Sequence, residues 1–195
     1  MNTWVNLALV IAAYLFGGFS SGYWLVRWRT GRDVRTHGSG GTGATNVGRI
    51  LGRGGFIIVC LADVAKGAAM VGLARWLGVS DVWTQLVVLA VIVGHIWPMQ
   101  LGFRGGKGVG PLIGAWLVLD PIVLLPTLVV TLLGLALLRR FTRAGLCGLA
   151  VLPAAVWWFK QDWAIVMLAA ATLLVVFYAH REHLRRWLHP NTAAS

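Results

Sequence analysis

The feature that most limits the fold is a series of charge-free apolar stretches, several of them roughly 16 to 23 residues long. An α-helix needs about 20 such residues to cross a hydrocarbon core, since each residue advances about 1.5 Å through roughly 30 Å. Apolar residues make up 58% of the chain and charged residues 12%, whereas a soluble domain carries about a quarter charged. A water-soluble fold of 195 residues has too little polar surface to cover that apolar content. The chain is therefore expected to be a single polytopic membrane domain over residues 1–195, all-α in class. The first stretch, Trp4–Val26, lacks a basic leader and is longer than a signal-peptide core, so it reads as a retained span. Cys60 and Cys147 both fall in apolar stretches, which argues against a disulfide staple or a cysteine metal cluster.

The expected spans are Trp4–Val26, Gly54–Ala74, Val82–Leu101, Val109–Leu119, Ile122–Leu138, Ala144–Phe159 and Trp163–Tyr178. Asp120-Pro121 interrupts what could otherwise be one long helix from Val109 to Leu138, because the residue before proline is pushed away from helical angles. Charge supports a turn there. With seven spans and the N-terminus outside, the inner segments hold Arg27, Arg29, Arg32, Arg35, Arg49, Arg53, Arg104, Lys107, Arg139, Arg140, Arg143, Arg181, Arg185 and Arg186, which is 14 of the 17 basic residues. Arg75 and Lys160 lie outside with Asp81, Asp120 and Asp162. Six spans would move the Arg139–Arg143 cluster and the basic tail outside, against the positive-inside rule. The expectation is thus a seven-helix bundle with its C-terminus and glycine-rich loops in the cytoplasm. The net charge of +11 follows from this topology and argues for anionic headgroups, not nucleic acid, as its counterpart. Val109–Leu119, 11 residues long, is short for a span, so the loop before it is expected to dip into the membrane, buried in protein or lining a polar cavity.

Three cytoplasmic segments concentrate polar chemistry. Between Arg35 and Arg49, the run Gly38-Ser39-Gly40-Gly41-Thr42-Gly43 permits sharp turns that present N–H groups to an anion such as phosphate. Ser39, Thr42, Thr45 and Asn46 add neutral donors and Arg49 a two-pronged cation. The run formally fits G-x-G-x-x-G, but no βαβ unit surrounds it; Walker A fails too, at Leu101 and Gly108. The second segment, Gly94-His95 through Gly105-Gly106-Lys107-Gly108-Val109, places glycines and an ammonium before a helix, a second anion cradle, with His95 expected to pack. In the third, His180 and His183 share a helical face (i, i+3); no third ligand is evident, so no metal is expected. Asp63 and Lys66, inside a span, are expected to form an internal ion pair.

These segments together resemble the bacterial acyl-phosphate:glycerol-3-phosphate acyltransferase family (PlsY). The resemblance rests on Gly38-Ser39-Gly40 with Gly43-Ala44-Thr45-Asn46-Val47 and Arg49, Asp63 with Lys66-Gly67, Gly94-His95 with Pro98, Phe103 with Gly105 to Val109, and His180-Arg181 with Arg186. It implies an inner-membrane enzyme, with its site facing the cytoplasm, that transfers a fatty acyl group from acyl phosphate to the 1-hydroxyl of glycerol 3-phosphate without a cofactor. The H-x-x-x-x-D motif of thioester-using acyltransferases is absent from the chain. By the same resemblance Ser39, with Gly38, Gly40, Gly43, Thr45 and Asn46, holds the acyl phosphate. Arg49 and Lys107 neutralise phosphate charge. Gly105, Gly106 and Gly108 help seat glycerol 3-phosphate, and His180 orients or deprotonates its hydroxyl, with His183 beside it. The chain departs from the family pattern at Gly41 and His183, where Asn is usual, near Pro111, where Thr is usual, and after Leu188, where no acidic residue follows. Two other readings compete: a transporter or binder of phosphate-bearing anions or lipids, and a member of the family without catalysis or with a changed substrate.

Overall fold

The computed structural model describes residues 2–188, except for the side chains of Arg186 and Leu188, so the Arg186 part of the third motif lies outside what is described. Every regular element among these residues is helical. Ten α-helices follow one another: α1 (Thr3–Gly17), α2 (Ser21–Thr30), α3 (Ala44–Trp76), α4 (Asp81–Ile96), α5 (Val109–Leu119), α6 (Pro121–Leu138), α7 (Phe141–Ala150), α8 (Leu152–Lys160), α9 (Trp163–Ala179) and α10 (Arg181–Leu188). Five stretches are long and apolar enough to cross a membrane: Thr3–Thr30, Ala44–Trp76, Asp81–Leu101, Pro121–Leu138 and Phe141–Lys160. Val109–Leu119 and Trp163–Ala179 are apolar but shorter.

Several expected spans are more articulated than the sequence suggests. The first is broken between α1 and α2, where the Ser20 hydroxyl caps α2 by accepting from Tyr23 N. The Phe19 carbonyl, freed by the break, accepts from buried Lys66 Nζ at 3.2 Å. Lys66 also pairs with Asp63 at 3.0 Å, and Asp63 accepts from Ser21 Oγ at 3.0 Å. The expected ion pair therefore exists and is shared with the helix break. The α3 helix begins ten residues earlier than expected, at Ala44 instead of Gly54, and bends at Gly52, whose φ of 71° lies outside helical space. The turn at Asp120-Pro121 separates α5 from α6, with the Asp120 carboxylate accepting from Ile122 N and Val123 N.

Apolar side chains give helices little reason to associate in lipid, so close packing carries more of the burden. Here the contacts run through glycine. On α5, Gly110 and Gly114 form a G-x-x-x-G face against α3. A Cβ on Gly114 would sit 1.9 Å from the Val64 carbonyl oxygen, and one on Gly67 would sit 2.0 Å from that of Pro111. Gly17 of α1 and Gly94 of α4 meet Val91 and Tyr14 backbone in the same way. The core between these helices includes Val87, Val91, Ile92, Leu112, Ala115 and Trp116, all essentially buried. At one end of the bundle Arg75 joins Asp81 at 3.0 Å and the Leu119 carbonyl at 3.0 Å, while Lys160 pairs with Asp120. The glycine-rich segments lie at the other end.

Replacing Gly114 by Val should force α3 and α5 apart and lower the stability in detergent by about 1–3 kcal/mol. Gly72→Ala, where an added Cβ meets nothing within 4 Å, serves as the comparison. Thermal melting of both variants checks this; equal midpoints would show that the backbone contact does not hold the pair together.

Candidate functional site

The loop between α2 and α3 is held by its own polar groups. The Asp33 carboxylate caps a 3₁₀ turn at Val34–Thr36 and takes a bidentate bond from Arg35, at 3.0 Å from Nε to Oδ1 and 2.7 Å from Nη2 to Oδ2. Arg35 holds the Asp33 carboxyl below the ordinary carboxylate range despite partial burial. Arg35 Nη1 also donates to the Leu101 carbonyl at 2.6 Å, which ties this loop to the one before α5.

Asn46, in the first turn of α3 and 2% exposed, organises the rest. Its Oδ1 accepts from Ser39 N at 3.0 Å and from Arg49 Nη1 at 3.4 Å. Its Nδ2 donates to the carbonyls of Val34, His37 and Gly41, at 3.1, 2.9 and 2.8 Å. Gly38 turns beneath it at φ 58°, where a Cβ would stand 2.2 Å from Asn46 Oδ1. This arrangement changes the expected phosphate nest. The amides of Ser39, Gly40 and Thr42 already donate, to Asn46, the His37 carbonyl and the Gly105 carbonyl respectively. What the loop turns toward the cavity is Ser39, Gly41, the Arg49 side chain and the start of α3 at Gly43–Thr45, a helix end without a side-chain cap.

The loop before α5 is equally fixed. Gly105 N and Gly106 N donate to the Ile96 and His95 carbonyls at 3.0 Å each. A Cβ on Gly106 would lie 2.0 Å from His95 Nε2, so only glycine lets the loop lie flat on that ring. These two amides of the loop before α5 thus find their partners within the protein. His95 is packed as expected, with Nδ1 3.7 Å from Asp63 Oδ1.

Beyond Gly108, α5 leads away, and Lys107 Nζ reaches His183 Nδ1 at 2.8 Å. An ammonium can only donate, so His183 accepts at Nδ1 and carries its proton on Nε2. His180, buried just past the end of α9, shows the opposite pattern. Its Nδ1 lies 2.8 Å from the Val176 carbonyl, an acceptor, so Nδ1 bears the proton and Nε2 the lone pair. The two rings stand edge to face, 6.1 Å apart. One imidazole is thereby set as an acceptor and its neighbour as a donor.

These groups face a single cavity of about 240 Å³. It gathers the expected Ser39, Gly43, Thr45, Asn46, Arg49, Gly106, Lys107, Gly108, His180 and His183. Gly38, Gly40 and Gly105 do not line it; they shape the loops. The sequence reading missed the other half of the wall. From the cationic mouth the cavity continues between α3, α5, α6 and α7, past Phe56, Cys60, Val64 and Ile113 on one side and Leu128, Phe141, Leu146 and Leu149 on the other. Gly145 opens onto it, with nothing within 4 Å of an added Cβ. A glycine on a short helix beside Thr127 and Thr131, four apart in a span, was the available signal. Cations and imidazoles at one end and an apolar channel at the other suit an amphiphile with an anionic head.

A family model described as glycerol-3-phosphate acyltransferase matches residues 7–190. Among curated proteins the chain is similar to glycerol-3-phosphate acyltransferase 1 of Desulfitobacterium hafniense (strain Y51), 42% identical over 96% of this chain and 93% of that one. It is also similar to the glycerol-3-phosphate acyltransferase of Synechococcus sp. (strain JA-2-3B'a(2-13)), 42% identical over 93% and 90%. Among solved structures it resembles PlsY (YgiH), an integral membrane glycerol 3-phosphate acyltransferase. The glycerol 3-phosphate form of PlsY gives a TM-score of 0.87 at 30% identity, covering 94% of this chain and 92% of that one. The lysophosphatidic acid form gives 0.84 at 28% identity with the same coverage.

Asn46→Ala should leave buried loop carbonyls without donors, at a cost of about 1–3 kcal/mol each for those that water does not reach. A clear drop in melting temperature with faster proteolysis in the 33–46 loop is expected. Asn46→Asp, which keeps the acceptor but turns a carboxylate toward three carbonyls, should do no better. Wild-type melting in both variants would remove the organising role assigned to this side chain.

Proposed function

The chain belongs to the glycerol-3-phosphate acyltransferase family, and from that premise we propose how its cavity performs the reaction. It is an integral membrane acyltransferase that acylates glycerol 3-phosphate. The observation that carries the reading is one cavity joining Arg49, Lys107 and two imidazoles to an apolar channel. The donor is acyl phosphate, its chain in the channel and its phosphate against Ser39, Arg49 and the start of α3. Glycerol 3-phosphate sits with its phosphate toward Lys107 and the Gly105–Gly108 loop.

The hydroxyl of the acceptor attacks the acyl carbonyl carbon, and the bond from that carbon to the phosphate oxygen breaks. Lysophosphatidic acid forms and inorganic phosphate leaves. A mixed anhydride has a good leaving group, so the protein's task is to hold two mutually repelling anions together and stabilise the oxyanion. Arg49 and Lys107 supply the positive field. The hydroxyl proton passes to His180 Nε2, the lone-pair nitrogen left by the bond to Val176. His183 holds Lys107 and presents an N–H on its other side.

We further infer seven crossings, with α5 and α9 as the short ones and the Gly102–Gly108 loop completing the depth of α5. Charge supports an orientation with the N-terminus outside and the cavity toward the cytoplasm of a bacterial inner membrane, since 14 of the 17 basic residues fall on the glycine-loop side.

Phosphate release from palmitoyl phosphate should depend on glycerol 3-phosphate and fall by about 10²-fold or more in Lys107→Ala and Ser39→Ala. Folded wild type that releases no phosphate when acceptor is added, across varied acyl chains, would overturn the donor assignment.

The pH profile gives a separate check. Burial pushes His180 down to about 4; the Val176 hydrogen bond opposes this and the Lys107 charge adds to it. His180 is therefore already neutral above about pH 5, and lowering the pH through 6 does not protonate it. Any loss of kcat/KM near pH 6 should instead follow the second ionisation of the acceptor phosphate, itself near 6. Replacing that phosphate by a less acidic phosphonate should move the limb upward; a limb that stays in place would mean that an imidazole titrates there.

A further inference from the structure

A second opening adjoins the reaction cavity between the start of α7 and α10. It encloses about 310 Å³ and shares Thr45, Phe141, Thr142, Leu146 and His183 with the reaction cavity. To these it adds Arg140, Arg143 and Trp187. The two spaces therefore adjoin across a shared wall, and none of the three added residues takes part in the acyl transfer described above.

The chemistry of this vestibule is specific. Arg143 is steadied by Trp187, its guanidinium carbon 5.5 Å from the ring centre, a contact that also links α7 to α10. No carboxylate lines the space. The chain has six acidic residues. Four of them pair elsewhere, Asp33 with Arg35, Asp63 with Lys66, Asp81 with Arg75 and Asp120 with Lys160. Asp162 caps α9, and Glu182 lies exposed on α10. Among the described residues no ion pair involves Arg140 or Arg143. Two guanidiniums, an imidazole and two threonine hydroxyls thus meet the rings and branches of Phe141, Leu146 and Trp187. A free anion would leave the apolar surfaces uncovered, and an uncharged chain would leave the cations unanswered.

We infer that this vestibule holds the phosphate head of a single-chain lipid beside the reacting position, with the chain running over Phe141 and Leu146 into the apolar channel. The inference rests on the acylation reading, whose donor and product both have this form. Guanidinium forks suit a phosphate oxyanion, and their place at the membrane surface favours capture from a bilayer. Arg140 and Arg143 would so act on lipid entry or release and not on the acceptor.

Binding tests it without relying on turnover. Radiolabelled lysophosphatidate is titrated into the full chain in neutral-lipid nanodiscs, with and without saturating glycerol 3-phosphate. Wild type should bind with acceptor present, and Arg140→Gln/Arg143→Gln should bind about tenfold more weakly. Arg140→Lys/Arg143→Lys should lie between them, and lysophosphatidylcholine should show no dependence on the arginines. Inorganic phosphate should displace the lipid poorly, whereas ready displacement would reveal a free-anion site. The KM for glycerol 3-phosphate should stay within about twofold in the glutamine variant, which reports an intact fold. A raised KM for palmitoyl phosphate marks the vestibule as a donor entrance, and tighter retention of lysophosphatidate by wild type alone marks it as a product exit. Lysophosphatidate binding that glycerol 3-phosphate abolishes and the arginines leave unchanged would overturn the inference while leaving the acyltransferase reading in place. Wild type that binds the lipid at the vestibule but shows no acyl transfer would do the reverse.

Discussion

The candidate cavity depends on the carboxamide of Asn46. Irregular backbone beside a membrane is tolerated only if its polar groups find partners, and this one side chain serves carbonyls from Val34, His37 and Gly41 together with the Ser39 amide. It thereby sets the exposed hydroxyl of Ser39 and accepts from Arg49 in the same gesture. The neighbouring loop is then added by a single bond from Thr42 N to the Gly105 carbonyl and by Arg35 reaching Leu101. The glycines in these loops are better understood as making room for that network than as ligands in their own right.

The reaction poses a solubility problem as much as a chemical one. An anionic acceptor from water must meet a donor whose chain belongs in lipid. The fold answers by building the cationic mouth from loops and helix ends and the apolar channel from the faces of helices. The tautomers of His180 and His183 follow from this arrangement. A carbonyl at the end of α9 fixes one, and an ammonium from the loop before α5 fixes the other, so two like side chains three residues apart are given opposite hydrogen-bonding sense.

Much of this was legible in the sequence. Charge-free lengths gave the all-helical membrane class, Asp120-Pro121 gave the turn between α5 and α6, and the i, i+3 spacing of Asp63 and Lys66 gave their ion pair. The three motifs named the groups at the cationic mouth. Other features were hidden for physical reasons. The break between α1 and α2 leaves hydropathy unchanged, since its satisfaction comes from Lys66, far along the chain. The early start of α3 was masked because Arg49 and Arg53 made its first turns look like loop. The channel wall escaped notice because a residue such as Leu146 looks the same in sequence whether it faces lipid, core or substrate. The use of the Ser39, Gly40 and Thr42 amides inside the loop was invisible for a similar reason: glycine spacing shows that N–H groups can converge, not what they converge upon.

The end of the bundle opposite the glycine loops, where Arg75 meets Asp81 and Lys160 meets Asp120, contributes no residue to the cavity wall. In the orientation proposed above, a catalyst whose cavity stops short of that end would draw its chain and return its product on a single side of the bilayer. Each turnover would then add a new amphiphile to one leaflet alone, so that its area grows ahead of the other's. Membrane expansion fed by such an enzyme is born asymmetric, and evening it out is work for some other agent.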